Sequence, residues 1–190
     1  MTRFKTLSSK IIHKNKFWEY KKDEFETPQG KKGEYFYLNG KGVVSIVPVL
    51  DDGRLVLVSQ YRYLKDKMSI EFPSGGCEEN FSVNENANKE LLEETGYQTN
   101  EMSKIGEFEI INGLGKEVCH VFMATELEKI TEPQPELNGE ILEVICRRID
   151  EFEEMIKRGD IWDGKTLAIW ALAREHVLKI IKEQYGLQSN

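Results

Sequence analysis

The stretch from Gly75 to Tyr97 constrains this chain more than any other: Gly-Gly-Cys-Glu-Glu-Asn-Phe-Ser-Val-Asn-Glu-Asn-Ala-Asn-Lys-Glu-Leu-Leu-Glu-Glu-Thr-Gly-Tyr. Ser74-Gly75-Gly76 reads as a tight turn after a strand that ends at Pro73. Ser82 and Glu85 have the spacing of a capping box, so a helix should start at 83 and run to about 95. Val83, Ala87 and Leu91 form its apolar stripe, and Gly96 suits the left-handed residue that stops it. Off that stripe lie three carboxylates. At about 100° per residue, Glu90 and Glu94 stand about 40° apart, with Glu93 about 60° to the other side of Glu90. A Glu-rich turn is ordinary on a solvated helix face, but three like charges held so close repel unless a cation sits among them. Oxygen ligands of this kind suit Mg²⁺ or Mn²⁺.

The same run resembles the signature of the Nudix hydrolases: a glycine, five residues, a glutamate, seven residues, then Arg-Glu-apolar-x-Glu-Glu-x-Gly-apolar. Gly75, Glu90, Glu93, Glu94, Gly96 and Tyr97 fall on that pattern. Two positions depart from it: Lys89 stands where arginine is usual, and Phe81 where the first glutamate is usual. Lysine keeps the charge but loses the planar fork of a guanidinium. Phenylalanine cannot coordinate a metal, and the sequence does not say whether Glu78 or Glu79 takes over.

Text outside the box is similar to one branch of the family, the ADP-ribose and nucleoside-diphosphate-sugar pyrophosphatases. Leu55-Val-Leu-Val-Ser-Gln-Tyr-Arg62, Glu71-Phe-Pro-Ser-Gly75 and Gly139-Glu-Ile-Leu-Glu-Val144 carry the likeness. The resemblance implies an α+β protein, a Nudix-type α/β/α sandwich over residues 41–190. It also implies a small N-terminal β-segment, residues 1–40, exchanged between two subunits of a homodimer. It implies hydrolysis of the pyrophosphate bond of a nucleoside diphosphate sugar. Glu90 and Glu94 would bind metal, Glu93 would assist as ligand or orienter, and the carbonyl of Ser74 would be a further ligand. Glu140 is the expected base, with Glu143 second and Glu136 third, because a carboxylate outside the metal cluster must take the proton. Arg62 is expected on the diphosphate, where a guanidinium can bind two oxygens at once. Phe17, Trp18, Phe25 and Tyr35 are candidates to stack on the base of the nucleotide.

Where the ADP-ribose specialists commonly carry a proline after the box, this chain reads Ile111-Asn112-Gly113, which points to another nucleoside diphosphate sugar as the substrate. Phe81 and Lys89 also motivate two alternatives: a Nudix hydrolase of another nucleoside diphosphate derivative, and a ligand-binding protein with a degenerate box.

Composition narrows the classes. The formal net charge is −7 over 190 residues, which disfavours sequence-independent binding to nucleic acid. A diphosphate ligand remains compatible, because bound divalent cations reverse the local field. The three cysteines, Cys77, Cys119 and Cys146, lack metal-binding spacing and read as reduced, in a cytoplasmic protein. The longest apolar run, Val43–Leu50, is far too short to span a bilayer, so no membrane partner is expected.

Strands are expected at 10–20 and 33–39 around a turn at Thr27–Gly30, then at 43–50, 54–61 and 68–72, with Asp51-Asp52-Gly53 as a hairpin turn. Further strands are expected at 105–111, 118–124 and 140–148, with a polar loop at 131–139. Helices are expected at 150–158 and 165–185, the last turning Leu167, Trp170, Ala171, Leu178 and Ile181 inward.

Overall fold

The structure, a computed structural model, describes residues 3–134 and 142–184. The first strands are β1 (Lys5–Lys14), β2 (Trp18–Glu26), β3 (Lys32–Gly40), β4 (Val43–Pro48) and β5 (Leu55–Arg62). A one-turn helix at Tyr63–Lys65 leads to β6 (Lys67–Glu71) and β7 (Ser74–Gly76), and helix α1 (Val83–Thr95) follows. Then come β8 (Tyr97–Gln98), β9 (Glu101–Glu109), β10 (Gly115–Lys116), β11 (Val118–Thr125), β12 (Glu128–Lys129) and β13 (Leu142–Arg147). Helices α2 (Ile149–Arg158) and α3 (Gly164–Gln184) complete the described chain.

Two compact units are present. One comprises Met1–Val43 and Phe108–Cys119, the other Val44–Glu107 and His120–Asn190. The first is built on the sheet β1-β2-β3-β10. Its strands β1, β2 and β3 form an antiparallel meander, with Trp18 opposite Gly40 and Lys22 opposite Phe36. β10 adds in parallel to β3, Gly115 opposite Leu38. The expected turn at Thr27–Gly30 is present, closed by a hydrogen bond from Gly30 N to Thr27 O of 2.9 Å. The expected single strand over 10–20 is corrected to two strands. Asn15 Oδ1 accepts from the backbone N of both Phe17 and Trp18 at 2.9 Å, and this side-chain turn breaks the segment. Trp18 therefore opens β2 and Phe17 lies in the turn before it, not in the body of one strand.

The second unit holds the main core. Its sheets are β7-β4-β11-β9 and β13-β5-β6, with a two-stranded β12-β8 ladder beside them. β5 is central and antiparallel to both neighbours, Val58 opposite Val144 and Glu71. Buried on both faces, Leu55, Val56, Leu57 and Val58 account for its unbroken apolar run. Helix α1 packs Ala87 and Leu91 against Val44, Ile46, Phe122 and Ala124. Phe152 of α2 lies between Phe72 and Trp170 of α3, with ring centroids 5.4 and 5.2 Å away. Helices thus cover the sheets as an α/β/α sandwich.

On α3 the inward face is Thr166, Ile169, Trp170, Ala173, Val177 and Ile181. Leu167 and Ala171, expected inside, are exposed. The helix carries apolar residues on most of its circumference, so periodicity alone did not fix which stripe would be buried. None of the three cysteines forms a disulfide. Among the described residues no helix is long and apolar enough to cross a membrane.

Candidate active site

Residues 71–76 and the inner face of α1 meet at one corner of the second unit. Ser74–Gly76 was expected to turn. It is instead a short strand, β7, hydrogen-bonded beside β4. The glycines serve close approach: a Cβ at Gly75 would lie 2.1 Å from the carboxyl carbon of Glu90. The amide of Ser74 donates to Glu94 Oε2 at 2.8 Å. The structure therefore brings Ser74, Gly75, Glu90 and Glu94 together, across a gap that only a residue without a side chain can leave open.

Helix α1 is positioned for this by both of its ends. The capping box is complete, with Ser82 N donating to Glu85 Oε2 at 2.7 Å and Glu85 N donating to Ser82 Oγ at 3.2 Å. That bond to Ser82 holds the Glu85 carboxyl below the usual carboxylate range. At the other end Gly96 has φ 72°, and a Cβ there would lie 2.0 Å from Thr131 O. The segment after β12 is tied to the same end: Ile130 N donates to Gly96 O at 3.0 Å and Gln134 N to Glu93 O at 2.7 Å.

The third box carboxylate is paired with a lysine. Glu93 Oε2 is buried and makes no hydrogen bond of good geometry; its counter-charge is Lys89 Nζ, 3.0 Å away. Lys89 also reaches Glu78 Oε1 at 2.8 Å. Phe81, at the position where the box usually has glutamate, is 44% exposed. Among the described residues no group of three or more His, Cys, Asp or Glu side chains converges as a ready-made metal cage.

Arg62, expected on a diphosphate, is engaged by a buried partner. Its Nε donates to Glu71 Oε1 at 2.7 Å and its Nη2 to Glu71 Oε2, while Glu71 is only 1% exposed. This bidentate pairing raises the guanidinium above its already high range.

Two polar residues at this corner escaped the reading of the sequence. Lys165, in the first turn of α3, donates from Nζ to Ser74 Oγ and lies 3.8 Å from Glu71 Oε2. Asn86 is 1% exposed and clamps the loop that leads into the helix. Its Oδ1 accepts from Glu78 N at 2.9 Å, and its Nδ2 donates to the carbonyls of Glu78, Phe81 and Ser82 at 3.4, 3.3 and 3.0 Å. Asn86 had a legible signal, a polar residue three positions after Val83, at the edge of the apolar stripe. Lys165 had none, being 91 residues from Ser74.

Glu143 is exposed on β13, in register with Ser59. Glu140 and Glu136 lie outside the described residues. In the first unit, Phe17 is exposed with Lys16 Nζ 4.6 Å from its ring centre, and Trp18 lies 6.0 Å from the His13 ring. Phe25 stacks on Phe4 at 5.1 Å, and Tyr35 donates to Gly113 O at 2.8 Å.

This geometry agrees with the relationships of the chain. Residues 41–168 match the NUDIX domain, and the chain belongs to that family. It is 28% identical over 162 residues to an ADP-ribose pyrophosphatase of Bacillus subtilis strain 168, covering 85% of this chain and 88% of that one. It is 31% identical over 150 residues to a GDP-mannose pyrophosphatase of Yersinia enterocolitica, covering 75% and 78%. Among solved structures, an ADP compounds hydrolase superposes with a TM-score of 0.82 at 18% identity, covering 97% of this chain and 98% of that chain. The chain is a Nudix hydrolase, an enzyme acting on phosphoric anhydrides.

Proposed function

We propose that this enzyme hydrolyses the pyrophosphate bond of a nucleoside diphosphate sugar, with ADP-ribose and GDP-mannose as the first candidates, to a nucleoside monophosphate and a sugar phosphate. The observation that carries the reading is the corner at Ser74–Gly75, where Glu94 is held on the Ser74 amide and Glu90 against Gly75. The names of the relatives supply the substrate class.

The residues suit a divalent cation in kind. All the donors are hard oxygens, Gly75 leaves the space a side chain would fill, and Glu93 Oε2 is a buried anionic oxygen without a hydrogen bond. Glu90, Glu94, Glu93 and the Ser74 carbonyl would hold Mg²⁺ or Mn²⁺. Such an ion neutralises phosphate charge and makes water a better nucleophile at neutral pH. The chain's own residues do the rest. Lys165 holds the Ser74 side chain, and the pairing of β7 with β4 holds its backbone. Arg62, with two nitrogens fixed on Glu71, offers its remaining edge to a phosphate oxygen. Glu140 takes the proton of the attacking water, with Glu143 as the second candidate. Phe17 and Trp18 are proposed to stack on the nucleotide base, and β1–β3 to mediate a homodimer in which the N-terminal segments are exchanged. The enzyme is proposed to act in the cytoplasm.

The test is turnover of ADP-ribose, ADP-glucose, GDP-mannose and UDP-glucose with Mg²⁺ or Mn²⁺, with alkaline phosphatase releasing phosphate from the products. Turnover of at least one is expected, and silence across the panel would sink the reading.

A further inference from the structure

The box of this chain lacks a carboxylate at 81, yet the cation at 89 is held by a carboxylate from the same loop. Lys89 Nζ bridges Glu78 Oε1 at 2.8 Å and Glu93 Oε2 at 3.0 Å. The Glu78 side chain is itself 47% exposed, and a surface ion pair of that kind contributes little to stability. Its backbone, however, is fixed. Buried Asn86 takes the Glu78 N–H at 2.9 Å and binds the Glu78 and Phe81 carbonyls, so the loop cannot slide along the helix. Phe81 N closes the same loop on Glu78 O at 3.3 Å. The far end of the chain of contacts is an anionic oxygen, Glu93 Oε2, which is buried and without a hydrogen bond of good geometry. A half-exposed pair that carries little stability is thus anchored by a fully buried clamp and reaches one buried oxygen of a half-buried carboxylate.

We infer that Glu78 is a positioning residue for the metal site: it draws Lys89 part of the way off Glu93 and so sets how much of the Glu93 charge is available to a divalent cation. Without Glu78 the ammonium leans more fully on Glu93 and competes with the metal. The inference rests on the reading of Glu93 as ligand or orienter.

The test is Mn²⁺ binding, with free ion followed by electron paramagnetic resonance, for wild type, Glu78→Gln, Glu78→Asp, Lys89→Gln and the Glu78→Gln/Lys89→Gln pair. Glu78→Gln should weaken Mn²⁺ binding roughly tenfold, within the span found for partners of metal ligands. Glu78→Asp should stay within about threefold of wild type, because the flexible lysine follows the shorter acid. In the Lys89→Gln background, Glu78→Gln should change affinity by less than about twofold, since the acid acts through the lysine. A merely structural role would shift the melting temperature of Glu78→Gln and leave its Mn²⁺ affinity alone. Unchanged affinity, or an equal loss with and without Lys89, overturns the inference. Sugar-nucleotide turnover is measured on the same samples. An active enzyme with an unmoved Mn²⁺ affinity in Glu78→Gln loses the inference and keeps the proposed function. The expected Mn²⁺ shifts in an enzyme silent on the substrate panel do the reverse. A wild type that binds no Mn²⁺ overturns the inference outright.

Discussion

In residues 74–94 the helix buries Ala87 and Leu91 completely, and its polar residue Asn86 is almost as deep. In residues 3–40 the one buried side chain is Tyr37. The N-terminal sheet leaves Phe4, Leu7, Ile11, Ile12 and Phe17 between 41% and 63% exposed, and every residue of β1 is exposed. The first region is complete within its own unit: its caps and apolar stripe are local, and Val44, Ile46, Phe122 and Ala124 cover that stripe. The second has the strand pairing of a sheet without the apolar burial that makes a small sheet stable alone. Rigidity is what a set of positioned carboxylates needs, while uncovered apolar side chains are what the proposed exchange with a second copy would cover.

The sharpest way to break this contrast is Glu94→Gln. As the proposed metal ligand, Glu94 would supply several kcal/mol of transition-state stabilisation, so kcat should fall at least about a hundredfold. The melting curve and circular dichroism should be retained, and near-wild-type turnover would remove Glu94 from the metal site. Gly75→Ala comes next. The new methyl must displace the Glu90 carboxyl from 2.1 Å, and a misplacement of that order costs on the order of tenfold to a hundredfold in rate. Steady-state kinetics with an unchanged kcat would mean that Glu90 does not need its present place.

Deleting residues 1–40 addresses the other side of the comparison. The shortened chain should be monomeric by light scattering and should show a higher KM. A dimeric, fully active product would separate the N-terminal sheet from both roles. The smallest expected change in activity is that of Asn86→Ala, whose effect should appear as stability. Loss of a buried amide that satisfies several backbone groups costs about 1–3 kcal/mol, visible as a lower urea midpoint.

Much of this is legible in the sequence, because the box helix is specified locally. Ser82 and Glu85 start it, Gly96 ends it, and Val83, Ala87 and Leu91 give its buried side, all within a few turns of chain. The misreadings came where one residue type serves two physical ends. Glycine at 75 and 76 signals a turn, but here it lets a strand pass close to Glu90. Asn15 looked like one polar residue in a strand, but its side chain closes a turn. On α3 the apolar residues nearly encircle the helix, so Leu167 and Ala171 could not be told from Ile169 and Ala173 by period. The contacts of Lys165 with Ser74 and Glu71 depend on the docking of α3, which no local pattern encodes.

One consequence follows from the cluster of Arg62, Glu71 and Lys165. Two cations share a single buried anion beside Ser74, but Glu90 and Glu94 stand at the same corner, so the corner is acidic like the chain as a whole, whose formal charge is −7. Beyond a screening length of about 8 Å at physiological ionic strength, an approaching anion meets an acidic molecule. Within that distance, divalent cations held among Glu90 and Glu94 would reverse the sign of the field. Attraction is therefore reserved for ligands that have already reached the corner, and the enzyme should gain little from long-range electrostatic steering: added salt should leave its association rate unchanged or raise it.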